Sequence, residues 1–366
     1  MSTAADGPTD GPHKATFSIS ALLVSFMPSP ASFMHQIRHN RKQGKKQASM
    51  TMNILITGAS GYLGQHLISA LCLCADSKYK ICAAYGTLST FEDDVVSSSQ
   101  ISSSHSSLTL LPNLDLTSRE TISNTIKSHG PFDAVVHLAA ISSPGVCEKE
   151  PDQAKAVNVP SALLEALPST TDIIFLSTDQ VYDGSNAPYV ETDEAKPVNL
   201  YGQTKLELEK LLMDKCSTNA VALRSSLIIG TETPFQCRKQ TFLQFVHDRL
   251  QKQEETSFFT DEFRNVVYVG DICRVIRHFI DNGIGERAAG VYNMGGADRV
   301  SRLDFAEAVA KHCGLETTCA KGVARSSLPP GPVASPPDIS MDSSKLEQAT
   351  GIKMLGLADI IKHCLS

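Results

Sequence analysis

Thr57-Gly-Ala-Ser-Gly-Tyr-Leu-Gly64 decides the fold. The apolar run Asn53-Ile-Leu-Ile-Thr57 precedes it and reads as a buried strand, and a helix is expected from Gly64 to Leu73. Glycines are informative at a first strand-to-helix junction. Gly58 permits the tight turn, and Gly61 removes a side chain where a pyrophosphate would approach the backbone. Gly64 lets the helix pack closely on the strand, and the helix N-terminus then faces the anion.

Outward from this turn, apolar runs alternate with helical patterns. Strands are expected at Lys80–Tyr85, Leu108–Leu111, Asp133–Leu138, Asp172–Ser177 and Ala220–Ile229, with helices near 118–128 and 152–167. Strands that are apolar on both faces and separated by helices imply a parallel sheet covered on both sides. The expected fold class is therefore α/β, a doubly wound Rossmann fold. Residues 51–230 are read as the dinucleotide-binding domain. Residues 231–366, with helices at 241–253, 270–282, 301–313 and 355–364, are read mainly as a smaller substrate-binding lobe sharing some sheet elements. The polar stretch 97–107 has no apolar period and reads as a loop.

The 366 residues are 42% hydrophobic and 20% charged, which suits a globular chain and excludes disorder as the main state. Thirty-three Lys and Arg against 39 Asp and Glu give a net charge of -6, so there is no basic face for a nucleic-acid backbone. The longest apolar run is too short to span a bilayer. Ten irregularly spaced cysteines read as reduced thiols. No pair has Cys-x-x-Cys spacing, and Cys72 and Cys74 are too close to share a tetrahedral metal, so no metal is expected. The first fifty residues differ, with six basic residues against only Asp6 and Asp10. They read as a disordered extension or an organelle-targeting segment. A cytoplasmic location is favoured, with plastid or mitochondrion as the alternative should the extension be a transit peptide.

The second chemical signal is Tyr201-Gly-Gln-Thr-Lys205 at the start of a helix running to about Lys215. Tyr and Lys at i and i+4 share one helical face. An ammonium beside a phenol is expected to lower the phenol's pKa toward the range a general acid needs. Ser177-Thr178-Asp179 ends the fifth strand at the carboxyl edge of the sheet, where ligands bind in such folds. The second strand ends Ala83-Ala-Tyr-Gly-Thr-Leu-Ser89 with neither an acid nor an arginine. Without an acid to repel a 2′-phosphate, and with Thr87 or Ser89 as donors, NADP(H) is favoured as cofactor and NAD(H) stays open.

From residue 52 to about 362 the chain resembles the extended short-chain dehydrogenase/reductases. Within them it is most similar to the dTDP-4-dehydrorhamnose reductase group, which includes the regulatory β subunit of methionine adenosyltransferase. Besides the glycine turn, the resemblance rests on Asp115-Leu116, His137-Leu-Ala-Ala140, Asn158-Val159 and Leu176-Ser-Thr-Asp-Gln-Val-Tyr-Asp-Gly184. It continues through Glu191-x-Asp193, Pro197-x-Asn-Leu-Tyr-Gly-Gln-Thr-Lys205, Leu223-Arg-Ser-Ser226, Phe263-Arg-Asn-Val-Val-Tyr-Val-Gly-Asp271 and Tyr292-Asn-Met-Gly-Gly296, and ends in the stretch from Ser340 to Leu346.

The resemblance implies a catalytic Thr178/Tyr201/Lys205 triad. Tyr201 would protonate a carbonyl oxygen, Lys205 would hold the nicotinamide ribose, and Thr178 would orient the substrate. It implies that Gly58, Ser60, Gly61, Tyr62, Leu63 and Gly64 cradle the pyrophosphate. Asp115 and Leu116 would flank the adenine, and Ala139 and Ala140 would line the cofactor channel. Asp179, Gln180 and Arg264 become candidate substrate contacts. Members of the group usually follow the Thr-Asp pair with Tyr-Val-Phe, whereas this chain has Gln180-Val-Tyr182. The implied activity is NAD(P)H-dependent reduction of a keto group on a nucleotide-linked sugar. The alternative is an NADP-binding regulator whose partner is the methionine adenosyltransferase catalytic subunit, and a homodimer is left open.

Overall fold

A computed structural model describes residues 51–73, 78–86, 90–98, 107–235 and 240–365. The readings of residues 1–50, of Cys74, of Thr87 and Ser89, and of most of the 97–107 loop lie outside the described residues.

Six strands, β1 (Met52–Thr57), β2 (Tyr79–Ala84), β3 (Leu108–Leu111), β4 (Ala134–His137), β5 (Asp172–Thr178) and β6 (Ala220–Ser225), form one sheet in the order 3-2-1-4-5-6. A seventh strand, Gly290–Met294, extends it beyond β6. Every pairing in the sheet is parallel. Alternate residues of each strand feed opposite layers, as the two-residue period of a strand requires. Ile54 and Ile56 pack with the helices Tyr62–Cys72 and Val269–Asn282, whereas Leu55 between them packs with Ile122 and Leu163 on the other face. Both faces are thus covered, and the fold is a doubly wound Rossmann α/β fold.

Two local expectations are corrected. The single helix expected over 152–167 is two, Pro151–Asn158 and Ser161–Ala166. Pro160 has no N–H to continue the ladder and restricts the residue before it, so the first helix stops. The sixth strand leaves the sheet after Ser225 instead of running to Ile229. Ser226 still donates its N–H to Met294 O at 3.2 Å, and its hydroxyl turns to Asp179 Oδ2 at 2.9 Å. Ile228–Ile229 then pairs with Val267–Tyr268 in a separate two-stranded sheet. Gly290–Met294 lies in the stretch read mainly as the smaller lobe with some shared sheet elements, and it runs beside β6 in full register, from Gly290 opposite Val221 to Met294 opposite Ser225.

The rest of the C-terminal region gathers the helices Phe242–Gln251, Arg302–Cys313 and Leu357–Leu365 around Leu243, Val246, Phe258, Phe305 and Ile360. No described helix is long and apolar enough to cross a membrane.

Candidate active site

The site lies at the carboxyl ends of β1, β4 and β5. Gly58 turns the chain with φ +71°, and a Cβ there would stand 2.7 Å from Ala139 N. A Cβ on Gly64 would come within 2.4 Å of Gly58 O. The turn and the first helix therefore sit closer than any side chain allows, which explains the glycines at these positions. A cleft of about 570 Å³ opens from this turn. Gly58, Ser60, Gly61, Tyr62, Leu63 and Gly64 line one end, Asp115, Leu116, Ala139 and Ala140 line its walls, and Tyr201 and Lys205 also face it. Leu138, Ile141, Ser142 and Ile228 line it as well, and no sequence motif singled these out in that role. Asp115 is fixed at the rim by Thr117, whose N–H and hydroxyl donate to Oδ1 at 2.8 and 2.7 Å and hold the carboxyl below its usual range.

The helix Leu200–Lys215 brings the second motif to the cleft. Asn199 caps it, accepting the Gly202 N–H on Oδ1 at 3.0 Å. A Cβ on Gly202 would fall 2.2 Å from Gln180 O, so this glycine lets the helix press against the turn that follows Thr178. Tyr201 and Lys205 are buried. Lys205 Nζ donates to Leu176 O at 2.7 Å and lies 6.0 Å from the centre of the Tyr201 ring. The expected lowering of the Tyr201 phenol is not found. Burial pushes it well above its ordinary value, and the Thr178 hydroxyl acts in the opposite direction. Lys205 is pulled down to about 7, again by burial, with the Glu209 carboxylate opposing that shift.

The candidate substrate residues are placed differently. Asp179 is buried, its carboxylate accepting from Ser226 Oγ and Thr178 Oγ1, and burial raises its pKa. Gln180 Oε1 accepts from Asn199 Nδ2 at 2.8 Å. Arg264 is committed to the backbone, with Nη2 on Pro336 O at 2.8 Å and Nη1 on Phe263 O and Pro337 O. None of these three, nor Thr178, is among the residues lining the cleft.

One residue of the site region was read only as part of a motif. His137, at the end of β4, hydrogen-bonds Thr57 Oγ1 through Nδ1 at 2.8 Å, and its Nε2 is buried with no hydrogen-bond partner among the described residues. Burial, helped by the charge of Lys205, lowers its pKa to about 3. The unfolded chain binds a proton near the ordinary 6.5 while the native chain does not, so native stability falls as pH drops from about 6.5 toward 3. The slope expected from this group is roughly 1.4 kcal/mol per pH unit. Chemical denaturation at pH 6.5 and pH 5 checks it: His137→Gln should lose less stability between those two values than wild type, and an equal loss would refute the assignment.

A family model described as RmlD substrate binding domain matches residues 52–366. The chain belongs to that family. Among relatives of this RmlD-type chain, a methionine adenosyltransferase 2 subunit beta from Rattus norvegicus is 27% identical over 239 residues, covering 64% of this chain and 70% of the relative. A dTDP-4-dehydrorhamnose reductase from Burkholderia thailandensis is 27% identical over 318 residues, covering 83% and 94%. The fold is shared with a dTDP-4-dehydrorhamnose reductase from Bacillus anthracis solved in complex with NADP, at TM-score 0.68 and 19% identity, over 86% of this chain and 99% of that one.

Proposed function

We propose that this RmlD-type protein is an NAD(P)H-dependent reductase of a keto group on a nucleotide-linked sugar, with Tyr201 as proton donor. The observation that carries the reading is the single cleft joining the glycine turn to Tyr201 and Lys205. Its glycine end fits a dinucleotide, because Gly58, Ser60, Gly61 and Gly64 line the cleft where the helix Tyr62–Cys72 begins, with no bulky side chain at the three glycines. NADP is favoured over NAD because no acid ends β2. A bound nicotinamide supplies the hydride.

The chain's own residues supply the proton and the orientation. Burial keeps the Tyr201 phenol protonated at neutral pH, ready to give its proton to the oxygen of a reduced carbonyl. Thr178, whose hydroxyl already acts on that phenol, steadies it. Lys205, which changes charge near pH 7 and whose Nζ lies 6.0 Å from the centre of the Tyr201 ring, would hold the nicotinamide ribose and favour the phenolate left after proton transfer.

A second reading is an NADP-binding regulator of methionine adenosyltransferase without turnover. Two observations favour it: the rat relative, and the state of the candidate sugar contacts, with Gln180 tied to Asn199 and Arg264 spent on proline carbonyls. Following NADPH oxidation by the purified protein over a panel of nucleotide-linked 4-keto sugars decides between them. Turnover of one member is the expected result. NADPH binding without turnover, together with activation of a methionine adenosyltransferase, would establish the second reading.

The cradle has its own test. Gly61 has an ordinary extended φ of -72°, and a Cβ there would meet only Gly58 O at 3.1 Å. Gly61→Val should therefore keep the fold while filling the approach to the backbone, and NADPH affinity by calorimetry should fall at least about 100-fold, an estimate for loss of the pyrophosphate contacts. Unchanged affinity would remove the glycine turn from the site.

A further inference from the structure

Three residues of the helix Leu200–Lys215 stand on one face at successive i, i+4 positions: Tyr201, Lys205 and Glu209. All three are buried. They meet three consecutive residues of β5. Lys205 Nζ donates to Leu176 O, Ser177 Oγ donates to Glu209 Oε1, and the Thr178 hydroxyl acts on Tyr201. Glu209 is the only one of the three that lies outside the cleft lining. Its carboxylate is held from the other side by Arg224 on β6, with Nε 3.1 and 3.2 Å from the two oxygens and Nη2 2.7 Å from Oε2. Arg224 Nη1 donates to Tyr182 Oη at 2.7 Å, and that hydroxyl donates to Asn293 Oδ1 at 2.8 Å on the seventh strand. Tyr182 stands where the reductase pattern has phenylalanine, so the hydroxyl that completes the arginine's bonding is this chain's own departure.

We propose that Glu209 is a positioning residue for Lys205: clamped by Arg224, Ser177 and, through Arg224, Tyr182, it registers the helix on β5 and places a fixed negative charge one turn behind the buried amine. The proposal rests on the reading of the cleft as a nicotinamide site. The groups facing Lys205 from the packed elements are Tyr201 and Glu209 on its own helix, Cys147 on the helix Pro144–Lys149, and His137 on β4. Burial holds the Cys147 thiol and the Tyr201 phenol in their protonated forms and His137 neutral at pH 7. Glu209, paired with Arg224, is left as the anion that favours the Lys205 ammonium.

The test is the pH dependence of NADPH affinity in the full chain, read by nicotinamide fluorescence. In wild type, affinity should weaken as pH rises through about 7, where the ammonium loses its proton. In Glu209→Gln the midpoint should move to lower pH by about one unit, with several-fold weaker binding at pH 7. Because that variant leaves Arg224 without its carboxylate, a companion carrying both Glu209→Gln and Arg224→Gln removes the two charges together, and it should move the midpoint in the same direction by a smaller step. Glu209→Asp keeps the charge one methylene further away and should move the midpoint by a smaller step in the same direction. A role in packing alone would lower stability and leave the midpoint fixed. A wild-type midpoint in a folded amide variant, or in Glu209→Asp if neither amide variant folds, overturns the proposal. Pronounced NADPH binding with no pH dependence would also overturn it while sparing the cofactor reading, whereas no NADPH binding at any pH removes both.

Discussion

Tyr201→Phe should lower the rate of keto-sugar reduction by roughly two to four powers of ten, the share expected of a positioned general acid. The substitution removes one hydroxyl and keeps the ring among Cys147, Ala154, Ile141 and Leu200, so the fold and melting temperature should hold. NADPH affinity should change little, because the proposed pyrophosphate cradle is the glycine turn and not the phenol. Burial also sets the pH behaviour. With the phenol raised well above its ordinary value, loss of the Tyr201 proton cannot be what slows the proposed wild-type turnover just above neutrality. Any limb near pH 7 should belong to Lys205 instead. Single-turnover rates for wild type and Tyr201→Phe, with cofactor dissociation measured in the same buffer, check both points. Equal rates would take Tyr201 out of the chemistry.

The second large effect concerns stability. Arg224 and Glu209 have side chains only 6% and 3% exposed, and they form the ion pair between β6 and the helix Leu200–Lys215. Arg224→Met fills much the same space but strands the Glu209 carboxylate without its cation. Breaking a buried pair from one side costs about 3–5 kcal/mol. Urea denaturation should show a loss of that size with an unchanged slope, and replacing both partners together should cost less than replacing Arg224 alone. A loss below about 1 kcal/mol, the usual worth of an exposed pair, would mean that water reaches the carboxylate.

The sheet and the glycine turn were legible because their signals are local. A run such as Asn53–Thr57 has one use in a parallel sheet, and glycines between a strand and a helix have one arrangement at the first junction. Tyr201 and Lys205 were legible for the same reason, since i, i+4 spacing fixes a shared face. What the sequence hid depends on contacts between distant segments. Gly290–Met294 opens on a glycine and carries the polar Asn293, so it shows no continuous apolar run, and β6 beside it makes it a strand. The upward shift of Tyr201 comes from burial, which spacing cannot report, and it outweighs the Thr178 hydroxyl that acts in the opposite direction. The commitment of Arg264 to Pro336 and Pro337 spans more than seventy residues, so the arginine in its motif gave no sign that its donors were already engaged.

The late arrival of the seventh strand has a consequence for how the protein is made. A nascent chain that has emerged through Ser225 has six strands of the sheet, but β6 remains an open edge until Gly290–Met294 leaves the ribosome. At translation speeds of about 5–20 residues per second, that edge is bare for several seconds. It consists of Ala220 to Ser225, fully buried in the finished molecule, and it offers unpaired amides to any neighbouring chain. A ribosome-stalled fragment whose emerged part ends between Ile229 and Ala289 should therefore recruit chaperones or aggregate, and one whose emerged part extends a few residues beyond Met294 should not.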